Sequence, residues 1–130
     1  MPMARILIIE DNVDNMSLMR ILMERENYQV ITAYDGRDGL QVIREQHPDL
    51  ILLDLDMPVV DGWGVIDQVK ADPALQNIPI VVVSAHFLPG DDRRVFEAGC
   101  AAFVAKPFKI LDLMDEIRRV LDLRGLPTAG

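Results

Sequence analysis

The sequence predicts an α/β domain, a parallel sheet wound on both sides by helices. Five short apolar runs recur along the chain, at 5–9, 28–33, 50–53, 78–84 and 101–105. Most are continuous rather than alternating, and several are rich in Val and Ile, as strands covered on both faces are. The intervals between them carry helical period and are long enough for right-handed crossovers, which gives the order βαβαβαβαβα.

Taken in order, RILII opens the sheet. A helix over about 14–26 comes next, with Leu18, Met19, Ile21 and Leu22 expected inward and its methionines read as ordinary core. YQVITA is the second strand, succeeded by a helix over 36–46 anchored by Leu40 and Ile43. His47, before Pro48, reads as a cap or a partner of the helix C-terminal dipole. LILL is the third strand, and the next helix, over about 63–71, uses Val65, Ile66 and Val69. Trp63 either anchors that helix or lies near the mouth of a site. IPIVVVS is the fourth strand, then a short polar helix over 90–98 held by Val95 and Phe96. AAFVA is the fifth. The last helix draws a stripe through Ile110, Leu113, Met114, Ile117, Val120 and Leu121, and Gly125 then Pro127 end it.

At 130 residues, half of them hydrophobic and 26% charged, the chain reads as one ordered domain, 1–130, with its core over about 5–123. The lead MPM and the tail LPTAG are expected to fray, and neither repeat nor linker interrupts the rest. A formal net charge of −8 excludes direct nucleic-acid binding through a basic patch and suits a cation held among acids. The single cysteine, Cys100, permits no internal disulfide or thiolate metal cluster and reads as a small buried hydrophobe. The N-terminal apolar run, Ile6 to Ile9, is too short for a signal-peptide core or a membrane span, so a cytoplasmic protein without a membrane partner is expected.

Function is read from the polar residues at the strand ends. The first strand ends in Glu10-Asp11, the third in Asp54, the fourth in Ser84 and the fifth in Lys106. In an open parallel sheet all strand C-termini lie along one edge, where ligands bind, so these positions should converge on one crevice. Clustered carboxylates raise one another's pKa unless a cation intervenes. Lys106 could neutralise Asp54 and Asp11 as a buried ion network, but it brings one charge against three. An all-oxygen ligand set instead suits Mg²⁺. Magnesium beside a carboxylate nucleophile, with an ammonium and a hydroxyl donor, is equipment for phosphoryl transfer through an aspartyl-phosphate.

Glu10-Asp11, Asp54 with Met57-Pro58 and Asp61-Gly62, Ser84-Ala85, and Lys106-Pro107 together resemble the receiver domain of two-component response regulators, over about Ile6 to Leu123. The resemblance implies a flavodoxin-like doubly wound sheet of strand order 2-1-3-4-5. It implies Asp54 as phospho-acceptor, and Mg²⁺ (or Mn²⁺ in its place) held by Glu10, Asp11, Asp54 and the backbone carbonyl of Asp56. It further implies Lys106 and Ser84 on the phosphoryl group, a cis Lys106-Pro107 peptide, and Phe103 as the switch aromatic, a residue that reads otherwise as ordinary core. The implied donor is a histidine kinase or histidine phosphotransfer protein. The implied output is a downstream protein target, engaged through the face of the fourth helix, fifth strand and fifth helix, with phosphorylation-dependent dimerisation as one form it takes. Such a domain slowly hydrolyses its own aspartyl-phosphate but is not a turnover enzyme.

On that scheme Ser84 moves toward the phosphoryl group and vacates space into which Phe103 rotates. Phe103 has no hydroxyl, so coupling rests on packing alone. Asp56 is open to three readings: it positions water for hydrolysis, repels it, or is a solvated loop residue. His86, two residues past Ser84, either shapes the pocket entry or fills a loop with Phe87 and Leu88. Because the chain ends about where the domain does, a single-domain regulator is expected, with an excised domain of a longer protein as the alternative. The competing enzyme reading takes Asp54-Leu55-Asp56 as the DxD of a haloacid-dehalogenase-like, Mg-dependent phosphatase, although such motifs stand near the chain start and here the motif ends the third strand. A degenerate phosphate-independent module would not carry the full residue set. A flavodoxin would have a Ser/Thr/Gly loop after the first strand, where this chain has acids.

Overall fold

The computed structural model of the protein describes residues 3–57, 59–85 and 88–126. Pro58, His86, Phe87, the Asp61 side chain and the tail from 127 lie outside the described residues. Five strands and five helices alternate: β1 Arg5–Ile9, α1 Val13–Arg25, β2 Gln29–Ala33, α2 Gly36–Gln46, β3 Leu50–Asp54, α3 Val59–Ala71, β4 Ile80–Ser84, α4 Asp91–Glu97, β5 Ala102–Ala105 and α5 Ile110–Leu123. The strands form one parallel sheet of order β2-β1-β3-β4-β5. Strand order reverses between β1 and β3, the switch point where such sheets bind ligands.

The continuous apolar runs are explained by cores on both faces. Ile6, Ile8, Leu50, Leu52, Val81 and Val83 pack with α1 and α5. Leu7, Ile9, Ile51, Leu53, Ile80 and Val82 pack with α2, α3 and α4. Alternate residues of one strand thus enter opposite cores, and β1, β3 and β4 leave almost nothing in water. Helix α2 sits so close to β1 that a Cβ on Gly39 would fall 2.5 Å from Ile9 Cδ1, which is why a glycine stands there.

Three helices end in the same way. After α1, α4 and α5 the chain turns through Asn27 (φ 67°), Gly99 (φ 96°) and Gly125 (φ 67°). The N–H of the next residue reaches back to Met23, Val95 and Leu121 respectively. This paired closure satisfies helix carbonyls and tolerates only residues at ease in the left-handed region. His47 (φ 45°) closes α2 as a left-handed cap, its N–H donating to the Ile43 carbonyl.

The structure corrects several inward-facing assignments. In α1 the buried residues are Met16, Met19, Leu22 and Met23, whereas Leu18 and Ile21 are half-exposed. Phe96 of α4 and Ile110 of α5 are also half-exposed, leaving Val95 as the α4 anchor and Leu113, Met114, Ile117, Val120 and Leu121 as the α5 stripe. The apolar residues of α1 are spread widely around its circumference rather than gathered in one stripe, so its period leaves the buried face open and the position of the sheet selects it. Helix α3 begins at Val59, four residues before the expected start at Trp63.

Candidate functional site

Each polar group at the carboxyl edge is placed by the residue before it in the sheet. Glu10 comes directly after Ile9, the last residue of β1, and its N–H donates to the Ala33 carbonyl at the end of β2. Asp54 is the last residue of β3, in register with Val83. Ser84 is the last residue of β4, paired with Ala105, and the Lys106 N–H donates to its carbonyl. Because the ladder continues one residue past the strands, the backbone holds the side chains beside one another. Asn12 then caps α1, accepting from the Asn15 N–H at 2.9 Å, so the loop carrying Asp11 is fixed on both sides.

Glu10, Asp54 and Ser84 are almost fully buried, at 0%, 3% and 1% relative exposure, while Asp11 is exposed. One carboxylate oxygen from each of Glu10, Asp11 and Asp54 lies within 4.8 Å of the others. Lys106 Nζ stands 2.9 Å from Asp54 Oδ2 and 3.0 Å from Asp56 Oδ2. The other Asp54 oxygen, Oδ1, accepts the Asp56 N–H at 2.7 Å. The Lys106–Pro107 peptide is cis.

Lys106 therefore pairs with Asp54 and Asp56, leaving the β1 acids without its direct contact. Neither oxygen of Glu10 has a hydrogen-bond partner. Burial first, then the neighbouring Asp54 carboxylate, push the Glu10 carboxyl from an ordinary 4.5 up to about 8, while Asn15 and Lys106 act in the opposite sense. Burial would lower the Lys106 ammonium, but its contacts with Asp54 and Asp56 outweigh that and hold it above the ordinary lysine value. An orphaned buried carboxylate flanked by two more, with no nitrogen or sulfur nearby in the set, fits a hard divalent cation.

Asp56 is more engaged than its sequence position suggests. Its carboxylate accepts from Ser84 Oγ at 2.9 Å, and the Ala85 N–H lies 2.9 Å from both of its oxygens. With Lys106 added, the end of β3 is tied to the ends of β4 and β5. The solvated-loop reading of Asp56 does not hold. A strand-terminal aspartate with another two residues later, opposite a serine and a lysine, was the available signal, but sequence spacing does not say which way a turn aims its side chain.

Phe103 lies on β5 opposite Val82 and is half-buried against the core under α2, α3 and α4. Trp63, on the same side, lies under the Arg94 guanidinium, 3.9 Å from the ring centroid, which joins α3 to α4. Cys100 is buried beside Lys70, and burial pushes its thiol up to about 11, so it is inert packing as expected.

The geometry is that of an acidic crevice closed by one lysine on the β5 side, and comparison with known proteins defines the class. The model of the response regulator receiver domain matches residues 6–118, and the chain belongs to that family of signalling proteins. Among its relatives is the polar-differentiation response regulator DivK of Brucella ovis, 38% identical over 116 residues, covering 89% of this chain and 94% of that one. Among solved structures, the receiver domain of a sensor histidine kinase from Pseudomonas aeruginosa has a magnesium ion coordinated in its active-site cleft; it is 30% identical with a TM-score of 0.80, over 90% of this chain and 96% of that one. A response regulator from Chloroflexus aurantiacus is 26% identical with a TM-score of 0.85, over 92% of this chain and 98% of that one. The family leaves no ground for the dehalogenase-like phosphatase. Among the described residues no helix is long and apolar enough to cross a membrane.

Proposed function

We propose that the chain is a phosphorylation-operated switch in which Asp54 accepts a phosphoryl group from a phosphohistidine of a histidine kinase or phosphotransfer protein. The carrying observation is the placement of Asp54: buried at the end of β3, one oxygen against Lys106 and the other on the Asp56 N–H, beside the unpartnered Glu10 carboxylate. In the transfer, an Asp54 carboxylate oxygen forms a bond to phosphorus as the bond from phosphorus to the donor nitrogen breaks. The imidazole leaves with that electron pair.

Glu10, Asp11, Asp54 and the Asp56 carbonyl would hold Mg²⁺ or Mn²⁺. When bound, the cation offsets the carboxylate charge and the charge carried by the phosphoryl oxygens. The magnesium in the Pseudomonas aeruginosa receiver domain supports this assignment. Lys106 supplies a second positive charge from the β5 side, and Ser84 a hydroxyl donor from β4. Phosphorylation adds nearly two negative charges and three strong acceptors at one strand end. Ser84 responds at β4, Phe103 repacks on β5, and the face made by α4, β5 and α5 changes its affinity for a downstream protein or a second copy.

The test is incubation with acetyl phosphate and Mg²⁺, with mass spectrometry of the intact protein and its peptides as the readout. One phosphoryl group on Asp54, absent from Asp54→Asn and from protein treated with a chelator, is expected. A label on another residue, or undiminished labelling of Asp54→Asn, would overturn the reading.

A further inference from the structure

Three donors converge on the Asp56 carboxylate: the Ser84 hydroxyl, the Ala85 N–H and the Lys106 ammonium, at 2.9, 2.9 and 3.0 Å. Their chemistry and convergence suit a compact anion bearing several oxygens. Asp56 is that anion in this structure. Its neighbour Asp54 shares Lys106, so a phosphoryl group on Asp54 would have its outer oxygens in the space next to the same donors. A carboxylate and a phosphoryl group cannot both occupy them, and like charges at this distance repel.

Resting on the phospho-acceptor reading of Asp54, we propose that the Asp56 side chain is a built-in competitor for the phosphoryl site. It occupies the donors in the unphosphorylated protein and must turn away before they can serve the new group. Asp56 acts through Ser84, Ala85 and Lys106 and is a positioning residue, not the acceptor. Entry of a phosphoryl group is then slowed by the need to break charge-assisted hydrogen bonds. The resting protein also already holds Ser84 turned toward an anion, so the unphosphorylated state is not a relaxed one at the end of β4 but a state held by the wrong anion.

The competition also has a direction. Removing the Asp56 carboxylate should favour any phosphoryl-like anion at Asp54, whether it arrives by covalent transfer or by simple binding. The backbone carbonyl of residue 56, assigned to the cation, is kept in every substitution at that position.

The experiment compares wild type with Asp56→Ala in two ways. Labelling of Asp54 is timed at subsaturating acetyl phosphate with Mg²⁺, the phosphorus–oxygen bond to acetate breaking as the bond to Asp54 forms and acetate leaving with the electron pair. Separately, beryllofluoride is titrated while the Ala85 amide is monitored by NMR. We expect labelling about tenfold faster, and beryllofluoride binding about tenfold tighter, in Asp56→Ala, roughly the loss of one such hydrogen bond. In wild type the Ala85 amide should shift on anion binding by exchange of one acceptor for another. In Asp56→Ala it should start from an unpaired position and move to the same end point. Equal or slower labelling and equal or weaker anion binding in Asp56→Ala, with Asp54 labelled in both proteins, would overturn the competitor role alone. No label on Asp54 in either protein would instead overturn the phospho-acceptor reading and the competitor role with it. Should circular dichroism show Asp56→Ala unfolded, Asp56→Asn is read in the same two assays. There a smaller gain in the same direction supports the competitor, and no gain overturns it.

Discussion

The two edges of the sheet are built from the same polar residue types and do opposite things with them. At the amino edge, cations end on backbone carbonyls. The Arg5 guanidinium reaches the Gln46 and His47 carbonyls at the end of α2, Lys70 Nζ reaches the Gln76 carbonyl at 3.0 Å, and Arg124 reaches the Asn77 carbonyl. Asp49 accepts the Arg5 N–H at 2.8 Å while donating its own N–H to the Arg5 carbonyl. Here charges are placed on helix ends and turns whose orphaned groups need them. At the carboxyl edge Glu10 and Asp11 stand beside Asp54, Lys106 pairs with Asp54 and Asp56, and neither Glu10 oxygen has a hydrogen-bond partner. Polarity does not distinguish the edges; charge left without compensation does. On the proposed function, this excess is what a cation and then a phosphoryl group would act on.

Removing Lys106, the cation that Asp54 and Asp56 share, should break this contrast most severely. Lys106→Ala leaves Asp54 and Asp56 facing each other without their shared ammonium. Labelling of Asp54 by acetyl phosphate should fall by about 10²–10³-fold, as when one preorganised electrostatic donor is deleted. In chelator, stability should fall by about 3 kcal/mol, the usual order for breaking a buried pair. Timed labelling and urea midpoints measure both, and Mg²⁺ should restore part of the stability but little of the rate.

The next effect belongs to Glu10 and sharpens the contrast by pH. Its carboxyl lies up at about 8 in the folded protein against an ordinary 4.5. Between those values the folded chain keeps a proton that the unfolded chain has released. The contribution of Glu10 to the stability of cation-free protein should therefore fall as pH rises from about 4.5 and level off above about 8. Glu10→Gln removes the titrating group and should flatten that limb of the curve. Mg²⁺ should oppose the fall in wild type and do so less in the variant, because cation and proton compete for the same oxygens. Urea midpoints across the range, with chelator and with Mg²⁺, decide it; parallel curves for the two proteins would mean that Glu10 ionises unhindered.

Much of this arrangement is legible in the chain's residue order. Continuous apolar runs such as 51–53 and 81–83 announce strands buried on both faces. An acid, a serine or a lysine planted directly after such a run stands at a strand end by necessity. Less legible is whatever depends on direction within an element. In α1 the apolar residues at 16, 18, 19, 21, 22 and 23 are too widely spread to single out one buried face, and the sheet chose the methionines and Leu22 over Leu18 and Ile21. Phe96 and Ile110 continue apolar patterns yet fall at the first or last turn of a helix, beyond the sheet's cover. Asp56 is hidden in a different way. Its surroundings in the chain point to a loop, and only the turn geometry after β3 aims its carboxylate across at Ser84 and Ala85.

The smallest effect tests the quiet edge. Arg5→Met keeps the aliphatic stem of the side chain but removes the guanidinium from the Gln46 and His47 carbonyls, while the Arg5 backbone bonds with Asp49 remain. The groups it uncovers are partly open to water, so the loss should be about 1 kcal/mol, the scale of a helix C-terminal charge and a single net hydrogen bond. A urea midpoint lowered by that amount, with unchanged slope, would register it. The rate of Asp54 labelling should be unaltered, because Arg5 opens β1 and the acids stand at its other end. A clear change in labelling with little change in stability would mean that the two edges are coupled through β1, and that the division between a supporting edge and a reacting edge is wrong.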